Sequence, residues 1–333
     1  MKALLSLAPG GPETLVLHDV ADPVPRPGEV LIDVHACGIN FLDTLIVIDQ
    51  YQAKPQRPFS PGVEVAGTIA ALGEGVSGFT PGQRVIGLPA WGGMAEKVCV
   101  PAANVFALPD GVSYAEGAGL LIAYGTAIHA LKDKGRMRAG ESLLVLGAGG
   151  GAGLSAVEMG KALGLRVIGA VSSEDKARAV RDAGADEVVL YGRPPFDREA
   201  SRALVQSFRS ACGGEGADIV YDAVGGDYAE PALRACAWGA RYLIVGFAAG
   251  IPALPFNLPL LKSIDLCGVF YGAFAAHDPA HNRELCAELL DLAATGRISA
   301  HVNHTFPLAR GGDAIALLGN RQAVGKVVVT IRD

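Results

Sequence analysis

Up to residue 112 the apolar positions come in short β-branched runs, "TLVLHDV", "EVLIDVHAC", "GVEVAGTIAAL", "QRVIGL" and "AEKVCV", cut by Pro/Gly clusters such as "DPVPRPGE" and "GFTPGQ". Runs of that length and spacing predict strands of a barrel or sandwich joined by irregular loops. From Ser113 the texture changes. "SYAEGAGLLIAYGTAIHALKDKG" has apolar residues at helical spacing, with Gly135 or Gly140 placed to end the helix. Strand and helix then alternate: "SLLVLGAGGGAG", "LSAVEMGKALG", "RVIGAVS", "SEDKARAVRDAG", "EVVLY", a helix from Arg198 to Ala211, "ADIVYDAVGG", a helix near Asp227 to Ala237, and "RYLIVGF". Apolar strands alternating with helices predict a parallel sheet covered on both faces. From residue 263 on, strand ("LCGVFYG", "KVVVTI") mixes with helix ("ELCAELLDLAATG", "GGDAIALLGN"), which reads as a return to the first domain.

Composition narrows this picture. A chain of 333 residues, half of them hydrophobic and 19% charged, has material for two cores. The net charge of −6 contains no basic run, which argues against a nucleic-acid surface. Six cysteines form no CxxC pair, so reduced thiols and a cytoplasmic setting are expected. "MKALLSLAPGGPE" turns polar too soon for a signal peptide. The uncharged stretch from Tyr242 to Leu261 is long enough to span a bilayer, but it holds Pro252, Pro255 and Pro259 with Gly246 and Gly250. It reads as a buried strand followed by a loop, so a soluble protein without a membrane span is expected.

The segment "LLVLGAGGGAGLSAVEMGKALG" carries the clearest chemistry. Its glycines lie where a buried strand turns into a helix, and two registers fit a dinucleotide fingerprint: Ala148, Gly150 and Gly153, or Gly147, Gly149 and Ala152. Missing side chains let the backbone approach a pyrophosphate, whose charge then sits on the helix N-terminus. About twenty residues further on, an NAD-binder places an acid on the adenosine ribose. Here Ser172 and Ser173 end the second strand, with Lys176 and Arg178 a turn later, which suits the 2′-phosphate of NADPH. Two readings stay open: Glu174 or Asp175 reaching the ribose, and Lys176 and Arg178 merely pairing with those acids on an exposed helix face.

The stretch "HACGINFLDTL" offers His35, Cys37, Asn40 and Asp43 within nine residues. His35 and Cys37, two apart on a strand, share one face; two ligands without partners make no closed metal site, and a buried structural role is expected for both.

From end to end the chain resembles the medium-chain dehydrogenase/reductase superfamily. It is most similar to the zinc-free quinone oxidoreductase branch, the family of ζ-crystallin and the quinone oxidoreductase-like proteins. The resemblance rests on "RPGEVLIDVHACGINFLD", "YQAKPQRPFSPGVEVAGTI", "PGQRVIG", "GGMAEKVCVPA", "AYGTAIHAL", "GESLLVLGAGGGAG" and "VYDAVGGD". It departs at the glycine turn, where "GAGGGAG" replaces an alanine-rich version with valine before the last glycine. The fold implied is α/β: a GroES-like β-rich catalytic domain (1–122 and 263–333) and a Rossmann doubly wound parallel-sheet domain (123–262). Zinc-dependent relatives have a second cysteine ligand where Asn40 stands, a histidine where Val63 precedes Glu64, and four clustered cysteines where this chain has only Cys99. No metal is therefore expected.

Without a Lewis acid, the acceptor must already be electron-poor. The resemblance implies hydride transfer from NADPH to a quinone, in a homodimer whose "LCGVFYG" strands pair edge to edge. Alternatives are an NADPH-dependent reductase of α,β-unsaturated carbonyls (enones, acrylates, enoyl thioesters) and a nucleotide-binding, crystallin-like structural or RNA-binding protein. As implied catalytic residues, Asn40 and Asp43 lie beside the nicotinamide, and Tyr51 lines the acceptor site. The implied cofactor contacts are Asn40 and Thr126 near the nicotinamide, and Gly150, Gly151, Ala152, Gly153 and Leu154 at the pyrophosphate. Ser172, Lys176, Tyr191 and Arg321 surround the 2′-phosphate. Phe247, Ala248, Phe270 and Tyr271 flank the nicotinamide ribose and carboxamide, or serve as core or dimer packing.

Overall fold

Strand Ser142–Leu146, buried along its whole length, pairs in parallel with Arg166–Val171 on one side and Ala217–Asp222 on the other. Glu187–Leu190 extends the sheet beyond the second strand, and Cys236–Ile244 and Asp265–Gly268 extend it beyond the fourth, all in parallel. In this computed structural model, which describes residues 1–332, the six strands thus run in the order third, second, first, fourth, fifth, sixth. That is a doubly wound sheet whose order reverses beside the first strand, and ligands of such sheets lie off the carboxyl ends of the strands at that reversal. Helices Gly151–Ala162, Glu174–Asp182 and Arg198–Ala211 make the crossovers. The expected GroES-like plus Rossmann α/β fold class is present.

The other sheet has seven strands. Its path runs Val302–Pro307, Lys326–Thr330, Glu29–Ile39, Glu64–Leu72, Arg84–Gly87 and Val105–Ala107, with Lys97–Pro101 paired to the first half of Glu29–Ile39. Its core is aliphatic: Val30, Ile32, Val34, Val65, Val85, Val327 and Val329 are all fully buried. The short hairpin Lys2–Leu5 with Val16–Asp19 is a separate two-stranded sheet that hydrogen-bonds to Met94 and Glu96 and buries Leu4 in the same core.

The chain divides into two compact units, residues 1–122 with 286–333, and residues 123–285. The return to the first unit was expected at residue 263 and falls at 286. The reason is in the sheet: Asp265–Gly268 adds to Cys236–Ile244, which keeps residues 263–285 with the second unit. The single helix expected over 113–135 is three pieces, Tyr114–Gly117, Leu121–His129 and a wider turn Ala130–Lys134. The break comes where the Ala118 carbonyl packs on Gly38, so tightly that a Cβ there would overlap it. The helix expected near 227–237 covers only Ala229–Arg234, because Cys236 opens a strand. Among the described residues no helix is long and apolar enough to cross a membrane. All six cysteines are free thiols.

Candidate functional site

In the first unit, strand Glu29–Ile39 is flanked near its end by two antiparallel neighbours. Gly38 lies opposite Glu64 on one side, and Ile39 lies opposite Val327 on the other. This register brings Asn40, Glu64 and Lys326 side by side. The Lys326 ammonium donates to Asn40 Oδ1 at 2.9 Å and lies 3.3 Å from Glu64 Oε2. Asn40 Nδ2 donates to the same Glu64 oxygen at 3.0 Å, and Glu64 Oε1 accepts the Ile122 N–H at 2.9 Å. Glu64 is fully buried, Lys326 is 4% exposed and Asn40 is 9% exposed. A buried ion pair survives only when its remaining donors and acceptors are satisfied, and here the amide and the backbone N–H do that.

After Asn40 the chain turns into the short helix Phe41–Ile46. Asp43 lies in its first turn, fully buried. One carboxylate oxygen accepts the Asn40 N–H at 2.8 Å and the other accepts the Gly62 N–H at 3.1 Å. Burial pushes its pKa up to about 6 despite those two donors. Asp43 thus ties the Asn40 turn to the loop before Glu64 and has both oxygens occupied by backbone. Tyr51 packs half-buried on Ile46, Phe59 and Val63. Burial first, and the Asp43 charge second, raise its pKa, so its hydroxyl keeps its proton.

His35 and Cys37 part company. The ladder slips between Val34 and Ala36, so His35 opposes no residue of Glu64–Leu72. Its ring stacks on Tyr114 with centroids 4.1 Å apart, and the Arg84 guanidinium covers Tyr114 4.8 Å from its centroid. Cys37 is fully buried, its sulfur against Gly62 and Gly93. Among the described residues no three His, Cys, Asp or Glu side chains are gathered as a metal site would need.

In the second unit the first strand ends at Leu146, and Gly147 turns the chain with φ +68. Helix Gly151–Ala162 begins with Gly150 at its N-cap, where no side chain caps the first amides. A Cβ on Gly153 would lie 2.2 Å from the Gly147 carbonyl oxygen and 2.6 Å from Ala148 Cα, so only glycine lets the helix sit this close to the turn. Ser172 is exposed past the end of the second strand. Ser173 is used as N-cap of Glu174–Asp182, accepting the Lys176 N–H at 3.4 Å. The Lys176 side chain lies over the glycine turn, 2.7 Å from where a Cβ on Gly149 would stand. Burial, then the neighbouring Arg193 charge, lowers its pKa. Arg178 sits 3.3 Å from Asp175, and Arg181 sits 3.8 Å from Glu174, all on the exposed helix face. Tyr191 follows the third strand and packs on Tyr228, centroids 4.6 Å apart.

The remaining predicted residues distribute as follows. Thr126 lies in helix Leu121–His129 of the second unit. Phe247 and Ala248 follow the fifth strand and Phe270 follows the sixth; Phe247 is 44% exposed and Phe270 is 55% exposed. Tyr271 is buried, its ring filling the space over Gly125. The glycine turn, Ser172, Tyr191, Phe247 and Phe270 therefore all lie beyond carboxyl ends of parallel strands. Arg321 belongs to the first unit, in a left-handed turn after helix Gly311–Gly319. Sequence reasoning missed Lys326 and Arg193. The first had one signal, a lysine heading the fully apolar run "KVVVT".

Two family models match: an alcohol dehydrogenase GroES-like domain over residues 26–110 and a zinc-binding dehydrogenase over 151–294. Quinone oxidoreductase-like protein 2 of Bos taurus is 37% identical over 96% of this chain and 89% of its own. The chain belongs to the quinone oxidoreductase branch of the medium-chain dehydrogenase/reductase superfamily. Among superfamily structures, a mycobacterial protein complexed with NADPH aligns over 99% of this chain and 100% of its own, with TM-score 0.91 and 32% identity. The Escherichia coli quinone oxidoreductase complexed with NADPH aligns over 99% and 100%, with TM-score 0.90 and 26% identity. The GroES-like match lies in the first unit and holds Asn40 and Glu64. The dehydrogenase match begins at Gly151, the first residue of the glycine-turn helix, and carries Lys176.

Proposed function

We propose that this chain is an NADPH-dependent oxidoreductase that reduces quinones. The observation that carries the reading is the glycine cradle: uncapped helix amides, a helix start with no room for a Cβ at Gly153, and Lys176 laid over the turn. The residues fit the cofactor. Gly150, Gly151, Ala152, Gly153 and Leu154 receive the pyrophosphate on backbone N–H groups. Ser172, Lys176, Tyr191 and Arg321 take the 2′-phosphate, joined by Arg193, because a bound anion relieves the repulsion between Lys176 and Arg193. Arg178 stays on the helix face with Asp175. Thr126, Phe247, Ala248, Phe270 and Tyr271 line the nicotinamide half.

When bound, the cofactor supplies a hydride, two electrons with one proton. The acceptor's developing oxyanion is met by the Asn40 amide and by the Tyr51 hydroxyl, which delivers the second proton and is reprotonated from water. Asp43 keeps the Asn40 turn in place. The donor set favours chemistry without a metal. Val63 has no donor atom, Asn40 Oδ1 is engaged, and the Lys326 ammonium repels a second cation. A quinone suits such a site because it is electron-poor without a Lewis acid.

The protein is proposed to act as a homodimer. Strand Asp265–Gly268 pairs on one side only among the described residues, and Phe256, Leu260 and Leu261 are exposed just before it. Sedimentation as a monomer at micromolar concentration would remove that part. The activity is tested by steady-state NADPH oxidation with a panel of quinones and enals. Quinone turnover is expected; fast enal reduction with no quinone turnover would overturn the substrate assignment.

A further inference from the structure

We infer that Lys326 is a positioning residue for hydride transfer, fixing and polarising the Asn40 carboxamide so that one Nδ2 hydrogen is held out as a strengthened donor. The inference rests on the oxidoreductase reading above and adds to it a residue far from Asn40 in the chain.

A carboxamide is nearly symmetric in shape, and its two ends are told apart by what they face. Here the surroundings admit one orientation. Lys326, which can only donate, faces Oδ1 at 2.9 Å; Glu64, which accepts, faces Nδ2 at 3.0 Å. A flip would set Nδ2 against the ammonium and Oδ1 against the carboxylate, two repulsive contacts inside a buried group. The lock is supported from both sides. Glu64 is held by the Ile122 N–H, and Lys326 begins a strand laddered to Glu29–Ile39.

One Nδ2 hydrogen is spent on Glu64. The other has only a long contact, 3.5 Å, to the Gly38 carbonyl. Asn40 keeps 9% of its surface exposed, against 4% for Lys326 and none for Glu64, so of the three it is the group most within reach of an incoming molecule. The ammonium on Oδ1 draws electron density toward oxygen and makes the Nδ2–H bonds better donors, as neighbouring hydrogen bonds reinforce one another where water is excluded. Charge built up on an acceptor oxygen as hydride arrives is thus answered by a donor that has no reorganisation to undergo. The chemistry recognised is an oxygen that becomes anionic during transfer. An apolar ligand gains nothing from it.

The simpler role, in which Lys326 only neutralises buried Glu64, is told apart by substitution. The single variant Lys326→Met leaves a bare buried carboxylate and can fail to fold, so it is paired with the double variant Glu64→Gln/Lys326→Met, which removes both charges. With the double variant folded by circular dichroism, kcat is expected to fall about tenfold to a hundredfold while KM for NADPH stays within about twofold. In an Asn40→Ala background, adding the same pair of substitutions should change kcat less than about twofold, because the effect passes through Asn40. Wild-type kcat in the double variant, or full additivity with Asn40→Ala, would overturn the inference.

A readout without turnover separates the two proposals. The Asn40 side-chain amide pair, assigned in 1H–15N spectra as the signals missing from Asn40→Ala, should shift in the double variant and exchange with solvent at least about tenfold faster. If the pair is unmoved, the positioning role fails whatever the activity. If it moves while the wild type reduces no quinone or enal, the reaction assignment fails and the positioning role stands.

Discussion

Replacing Asp43 by asparagine keeps the side chain's size and removes one acceptor from a spot where two backbone N–H groups converge. The Asn40 N–H at 2.8 Å and the Gly62 N–H at 3.1 Å each use one carboxylate oxygen, in a fully buried pocket. An amide turns an NH2 toward one of them, leaving a buried donor unpaired at a cost of about 1–3 kcal/mol. Against this, burial raises the Asp43 pKa from 3.8 to about 6. The native state therefore keeps the proton longer than the unfolded chain. The stability this group contributes is complete below pH 4, is lost between pH 4 and 6 as the unfolded chain ionises first, and is gone above pH 6. A rise of about two pH units at 1.36 kcal/mol each amounts to about 3 kcal/mol. Asparagine does not titrate, so Asp43→Asn should be clearly less stable than wild type near pH 4.5 and close to it near pH 7.5. Urea unfolding of both proteins at the two pH values, with linear extrapolation, measures the gap, and the other titrating groups cancel in the difference. A gap that stays constant or widens with pH would show that the two N–H bonds outweigh burial and that Asp43 ionises at or below its ordinary value.

Gly153→Ala forces the helix off the turn, since the new Cβ would stand 2.2 Å from the Gly147 carbonyl oxygen; NADPH affinity by fluorescence titration should fall at least about tenfold and stability by about 1–3 kcal/mol. Lys176→Ala and Arg321→Ala should each weaken NADPH binding about tenfold and leave NADH binding unchanged; equal losses for both nucleotides would refute the 2′-phosphate assignment. Dialysis against a chelator should leave kcat within about twofold of its starting value, and elemental analysis should find less than about one zinc per ten chains; activity lost and then restored by zinc would refute the metal-free reading.

The parallel sheet was legible because its three central strands, Ser142–Leu146, Arg166–Val171 and Ala217–Asp222, are buried almost throughout and read as continuous apolar runs. Helix Arg198–Ala211 appears with the boundaries its pattern predicted. What escaped detection had weaker local signals. Val302–Pro307 is an edge strand with only half-buried alternate residues, and "VNHTFP" has few β-branched positions. Cys236–Ile244 opens with "CAWG", whose small residues let it pass for the end of a helix. The domain boundary was misplaced for a related reason: "LCGVFYG" is recognisably a strand, but no periodicity says which sheet a strand will join. That is decided by pairing with Cys236–Ile244, a contact absent from either segment alone.

The site divides along the same line. The residues proposed to receive the pyrophosphate cluster in sequence because a strand, a turn and a helix N-terminus are consecutive by construction, so spacing pointed to them, whereas most of the other proposed cofactor contacts followed from the resemblance. Asn40 was visible as a residue standing where a ligand would be expected, but its partners were not, because they enter from two other strands. Glu64 is placed by the register with Glu29–Ile39, and Lys326 arrives from the far end of the chain on the opposite flank of that strand. Both Asp43 oxygens are taken by backbone amides, and the charged partner of the Asn40 oxygen lies 286 residues away. A polar residue at a strand end is thus best interpreted through the heads of the strands beside it. Here those strands supply one anion and one cation, and together they leave the amide a single orientation.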